Sequence, residues 1–144
     1  MNANPKAMQS YGKIANGESD PMRQIVMLYD GAIKFLNLTA EDIDNEDIVS
    51  KAEHSTRALD IIAYLQSILD FDKGGDVAAA LDNLYGSTTV LILRASAELD
   101  SELMRRAAQI LQPVRDAWET NAANQKETSS PSPITAPSTI KLAV

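Results

Sequence analysis

An all-α fold, an antiparallel up-down four-helix bundle with a mobile amino-terminal arm and a disordered carboxy-terminal tail, is predicted by three observations on this 144-residue chain. Apolar side chains recur at three- and four-residue steps in four successive blocks. Short acidic or glycine breaks separate the blocks, and helices joined by so few residues must turn back on one another. Both ends lack any sustained period. The expected organisation is an arm over residues 1–19, a bundle over 20–120 and a Ser/Thr/Pro-rich tail over 121–144. A bundle of about 100 residues can bury roughly two-thirds of its unfolded surface, which is enough to fold without staples.

The first helix is expected from Pro21 to about Leu38. Asp20 can cap free backbone N–H groups, and proline suits the first helical position, where its missing N–H has no partner to lose. Met22, Ile25, Val26, Tyr29, Ile33 and Leu36 form one stripe, with Leu28, Phe35 and Leu38 beside it. That apolar face is wider than one neighbouring helix covers. The acidic run Glu41 to Asp47 reads as a break, and Ile48, Ala52, Ser55, Leu59, Ile62, Leu65 and Leu69 mark a second helix. Gly74 and Gly75 are expected to stop it and Asp76 to cap a third helix running to Leu99. Val77, Leu81, Leu84, Tyr85, Thr88, Leu91, Ile92 and Ala95 keep the third period. Asp100 or Ser101 caps a fourth helix, on which Leu103, Met104, Ala107, Ile110, Leu111, Val114 and Trp118 share a face. Pro113 falls inside that stripe, so a bent but continuous helix is expected. From Asn121 the period is lost.

Charge narrows the function. The two ends each carry two lysines and one glutamate, so Asp20 to Asn121 holds 18 acids against 9 bases, a net of −9 within a chain of −7. Nucleic-acid binding needs a basic stripe to displace counterions from phosphates, and the sole adjacent basic pair is Arg105 and Arg106. Anionic membrane surfaces are disfavoured for the same reason. No apolar run is long enough to span a bilayer, cysteine is absent, and no signal-type segment opens the chain, which together predict a cytoplasmic protein.

No constellation of catalytic residues emerges, and neither a cofactor nor a metal is expected. The lone His54 has no cysteine or glutamate at a ligand spacing, and reads as a solvated or edge residue. Asp42, Asp44, Glu46 and Glu53 occupy positions 1, 3, 5 and 12 of a calcium-loop pattern, but Asp47 stands where the sharp bend needs glycine. Helix-capping acids explain them better. The Gly74-Gly75 pair lacks the further glycines and lysine of a phosphate loop. What remains is apolar bulk, from Leu28, Tyr29, Phe35, Leu84, Tyr85 and Trp118, which serves either core packing or a groove for a partner.

The run Ile25-Val26-Met27-Leu28-Tyr29-Asp30-Gly31-Ala32-Ile33-Lys34-Phe35-Leu36 resembles the first helix of the flagellin export chaperones, the FliS family. Tyr11, Leu69-Asp70 before Gly74-Gly75, Leu84-Tyr85 and Ala117-Trp118 follow in matching order, so the resemblance spans about Tyr11 to Glu119. Gly86 departs from it where an acidic residue is usual, and Ser96 where an asparagine is. The resemblance implies a bundle that binds the carboxy-terminal segment of flagellin, prevents its premature polymerisation and assists flagellar type III secretion, without chemistry of its own. It also implies contacts with the export gate and an anti-sigma factor. The client-contacting residues expected from it and from the stripes are Tyr11, Ile14, Ile25, Leu28, Tyr29, Ala32, Ile33, Leu36, Leu81, Leu84 and Tyr85. The competing readings are a helical adaptor for a different amphipathic helix and a metal enzyme built on the acidic loop.

Overall fold

A computed structural model describes residues 20–127, which form four helices: α1 (Pro21–Asp44), α2 (Ile48–Ser67), α3 (Phe71–Glu98) and α4 (Ser101–Glu127). Each opens on an aspartate. Asp20 accepts from the N–H of Met22, Asp47 from Ser50, Asp70 from Lys73 and Asp100 from Leu103, at 3.0 to 3.1 Å. A cap of this type is worth about 1 kcal/mol, and the carboxylate charge also suits the positive end of the helix. Part of the chain's acidity is therefore structural.

Neighbouring helices run antiparallel. Between α1 and α2, Asp42 meets His54 near one end, and Gly31 faces Ile61 further along. A Cβ on Gly31 would lie 3.2 Å from Ile61 Cδ1, so a side chain there would require that methyl to give way by a few tenths of an ångström. Gln66 on α2 reaches Asp82 on α3 at 2.7 Å, and Lys51 reaches the Ser96 carbonyl at 3.1 Å. On the other flank Arg115 of α4 grips Asp30 of α1 at 2.7 Å and pairs with Glu119, while Arg105 meets Asp44 at 2.5 Å. Helix α1 packs closely against α2 and α4, whereas α3 packs less closely against α2 and α4. Trp118, Tyr29, Tyr85, Leu36, Ile61 and Ile62 are the bulkiest fully buried side chains.

Three boundaries differ from expectation. Helix α1 continues six residues past Leu38 to Asp44, because Leu36, Ala40 and Ile43 extend its buried stripe while Glu41 and Asp44 face solvent. Thr39 is buried without penalty, since its hydroxyl returns to the Phe35 carbonyl at 2.7 Å. Helix α2 ends at Ser67, and Asp70 rather than Asp76 takes the cap of α3. A single helical turn runs from Phe71 before Gly75, at φ 51°, breaks the ladder, and the helix then resumes. The third difference lies at the end of α4, which passes through Pro113 without interruption and reaches Glu127 instead of fraying at Asn121. Pro113 is exposed, so the carbonyl it leaves unpaired can turn to water. Asn121 and Ala122 prolong the stripe of Trp118 and are 3% and 0% exposed. The rest of the expected arm and tail lies outside the described residues.

Candidate functional site

The α1 stripe is consumed by the bundle itself. Ile25, Leu28, Tyr29, Ala32 and Leu36 are buried, and Ile33 is half-buried against the core. On α3, Leu81 and Tyr85 are buried and Leu84 is half-buried. Tyr11 and Ile14 lie outside the described residues. A partner could reach most of the α1 positions only by displacing a helix.

An open apolar groove lies between α3 and α4. Val77, Ala80, Leu81 and Leu84 line it from α3 at helical spacing, and Val114 and Trp118, one turn apart, line it from α4. It encloses about 410 Å³, and Asp76 is its one charged lining residue. The groove accompanies the looser packing of α3 on α4 than of α1 on α4, which leaves Val77 and Leu84 only partly covered and Ala80 exposed. Of the expected contact residues, Leu81 and Leu84 lie in it. Trp118, whose bulk left core and groove both open in the sequence, belongs to it too, as do Val77 and Val114, whose periodicity marks only an apolar face, and Ala80, which carries no signal in the sequence.

Trp118 joins the groove to a buried polar centre. The hydroxyls of Tyr29 and Tyr85 are 2.6 Å apart. The Trp118 indole approaches Tyr29 closely enough to act on its phenol, but its Nε1 forms no well-shaped hydrogen bond, and neither does Asn121 Nδ2 one turn on. Burial pushes the Tyr29 phenol up to about 12, opposed by Tyr85 and Trp118 beside it. Burial, then the Tyr29 neighbour, pushes the Tyr85 phenol up as well. Both stay protonated at neutral pH and serve as hydrogen-bonding groups. Asp60, also buried, is raised by loss of solvent, with Arg57 opposing the shift.

The remaining polar residues are engaged structurally. His54 Nδ1 donates to Asp42 at 2.6 Å and its ring stacks on Phe35, with Arg57 over the same ring. Asp44 is held below its usual range by hydrogen bonds from Ser101 and Arg105. The acids of the calcium-like pattern are thus dispersed, Asp42 to a histidine and Asp44 to an arginine. Among the described residues no group of three or more His, Cys, Asp or Glu is placed to hold an ion. Nor is any described helix long and apolar enough to cross a membrane.

A groove of this size and polarity suits the side chains of an amphipathic helix. The family model described as flagellar protein FliS matches residues 3–126. The flagellar secretion chaperone FliS of Vibrio cholerae is 30% identical over 117 residues, covering 78% of this chain and 86% of that protein. Its Campylobacter jejuni counterpart is 30% identical over 115 residues, covering 80% and 90%. That of Salmonella typhimurium is 30% identical over 102 residues, covering 70% and 76%.

Proposed function

This chain belongs to the FliS family of flagellar proteins, and from that premise we propose that it is a cytoplasmic export chaperone for flagellin. It binds the carboxy-terminal segment of flagellin, keeps that segment from polymerising, and assists its delivery to type III secretion. The observation that supports this reading is the open groove of Val77, Leu81, Leu84, Val114 and Trp118. An amphipathic client helix would place aliphatic anchors there at i, i+3 and i+4 spacing, covering the face it later buries in a filament. The mechanism is occupancy, with no covalent step. The α1 residues Ile25, Leu28, Tyr29, Ala32, Ile33 and Leu36 act as the packed framework behind the site, and Leu81 and Leu84 touch the client.

Tyr11 and Ile14 supply the arm's two large apolar anchors apart from its methionines, and the same proposal has them cover the groove when no client is bound. Client binding is then a competition, its affinity lowered by the fraction of molecules whose groove is closed. The export gate and an anti-sigma factor are further partners that the resemblance implies. Size-exclusion of the full chain with flagellin, and with flagellin lacking its carboxy-terminal segment, tests the central claim. A one-to-one complex is expected only with the intact client. Undiminished binding of the truncated flagellin overturns the proposal, and equal binding of an unrelated amphipathic helix favours an adaptor instead.

A further inference from the structure

The end of the bundle where α1 passes into α2 and α3 into α4 carries apolar side chains that the fold does not use. Lys51 of α2 reaches the Ser96 carbonyl of α3 at 3.1 Å. Ile48 stands three residues before that bridge and Leu99 three after it, so on antiparallel helices both lie one turn further out, side by side on axes about 8–10 Å apart. Among the described residues Ile48 is 51% exposed, Val49 71% and Leu99 51%. Leu99 is out of place for folding on two counts. It closes α3 with the Asp100 N–H donating to the Ala95 carbonyl at 2.9 Å and its own N–H to Ser96, a motif whose left-handed position glycine fills best. It also leaves an aliphatic side chain half in water. Glu46, in the other loop at this end, has a left-handed backbone too, at φ 56°. Strained backbone of this kind gathers where a surface is used.

We propose that this end is a docking surface for a basic amphipathic helix of a partner protein, one that lays an aliphatic side chain between Ile48 and Leu99, packs a second on Val49 and sets Lys or Arg on either side. Charge selects that occupant. Residues 41–53 and 96–106, which build this end, hold nine acids and three bases, and two of the bases are already engaged, Lys51 with Ser96 and Arg105 with Asp44. Glu46, Glu53 and Glu102 flank the patch and are exposed. A second copy of the chain would bring like charge against like charge, and an acidic or neutral helix would leave these carboxylates without partners at the rim. The chain's own terminal segments leave from the far end of the bundle, beyond Asp20 and Glu127, about 36 Å away along α1 and about 40 Å along α4. The groove lined by Val77 and Trp118 shares no residue with this surface. Because the aliphatic contact is small and the flanking charges face water, binding is weak and sensitive to salt.

Calorimetric titration of the full chain with two amidated peptides of about 14 residues tests this. Both carry leucine at helical spacing, one with lysine at the remaining positions and one with glutamate. The lysine peptide should bind about tenfold more tightly than the glutamate peptide or better, and its affinity should fall as salt rises. In methyl NMR spectra of the complex the shifts should centre on Ile48, Val49 and Leu99. Leu99→Gly relieves the backbone and Val49→Ser alters an exposed side chain, so the double variant should keep its helicity while binding the lysine peptide about tenfold more weakly. Ala80→Trp, which fills the groove, should leave peptide binding unchanged. Equal binding of the two peptides, shifts confined to the groove, loss of binding in Ala80→Trp, or a double variant that binds the lysine peptide as tightly as the wild type overturns the proposal, whatever the outcome for flagellin.

Discussion

The hydroxyl of Tyr29 on α1 stands 2.6 Å from that of Tyr85 on α3, a polar bond between helices that lie diagonally across the bundle. The rings are 6.3 Å apart, tilted by 49°, and shielded from solvent. One hydroxyl must donate and the other accept. With the Trp118 N–H approaching Tyr29, the arrangement that satisfies most groups has Tyr29 donating to Tyr85.

Replacing one member strands the other. Tyr29→Phe or Tyr85→Phe should each lower stability by about 1–3 kcal/mol, because a buried hydroxyl loses its partner. The double variant, which removes both hydroxyls, should cost less than the two single effects added. Urea unfolding of the four proteins reads this as a double-mutant cycle.

The same pair sets an alkaline limit. Burial raises the Tyr29 phenol to about 12, whereas unfolded phenols titrate near about 10. Above that lower value the native state binds more protons than the unfolded chain, so stability is full below it and falls as pH rises through the folded value. The urea midpoint should drop between pH of about 10 and about 12. The drop should be shallower in the double phenylalanine variant, and equal slopes would show that other groups control it.

The starts of α1 and α4 were legible because capping is local: Asp20 before Pro21 announces α1, and the Asp100-Ser101 pair announces α4, where Asp100 takes the cap. Helix ends were less so. Thr39, Ala40, Asn121 and Ala122 are all buried, yet small and polar side chains add nothing to an apolar period, so α1 and α4 read short. Asp76, after two glycines, reads as the cap of α3, yet Asp70 before them takes it, because the break at Gly75 interrupts the helix without ending it. Of the eleven expected contact residues Leu81 and Leu84 line the groove, and periodicity could not separate them from the rest because it reports which face of a helix is apolar, not whether a neighbour covers it. That is why the sequence leaves Trp118 open between core and groove, and why the stripe of Ile25 and Leu28 reads as a docking face although α2 and α4 pack on α1.

Two positive-φ residues predict opposite signs. Gly75 sits at φ 51° with open space around its missing Cβ, so Gly75→Ala should cost about 1 kcal/mol through backbone strain alone. Leu99 closes α3 at φ 54° and is half exposed. Leu99→Gly should therefore hold or raise the melting temperature, by relieving a left-handed conformation that costs a non-glycine residue about 1–2 kcal/mol. Thermal unfolding followed by circular dichroism checks both.

Filling the groove should separate folding from binding. Ala80 lines it yet is exposed, so Ala80→Trp should leave the melting temperature within a degree or two while weakening flagellin binding about tenfold. Calorimetry with intact flagellin measures the loss. Unchanged affinity would move the client elsewhere on the molecule.

The connection between α3 and α4 has a mechanical consequence. Leu99 and Asp100 alone join the two helices, and the Asp100 N–H donates to the Ala95 carbonyl at 2.9 Å, so the pair is pinched at that end like the legs of a pair of tweezers. Val77 lies 22 residues from the pinch, a lever of about 33 Å. A tilt of about 5° at Leu99 carries Val77 sideways by about 3 Å while hardly moving Leu93. Gly75, just beyond Val77, lets the chain follow that swing without bending the turn before it. Such a swing would open the groove most beside Trp118 and Val77, and a helix entering it would meet least resistance at that mouth.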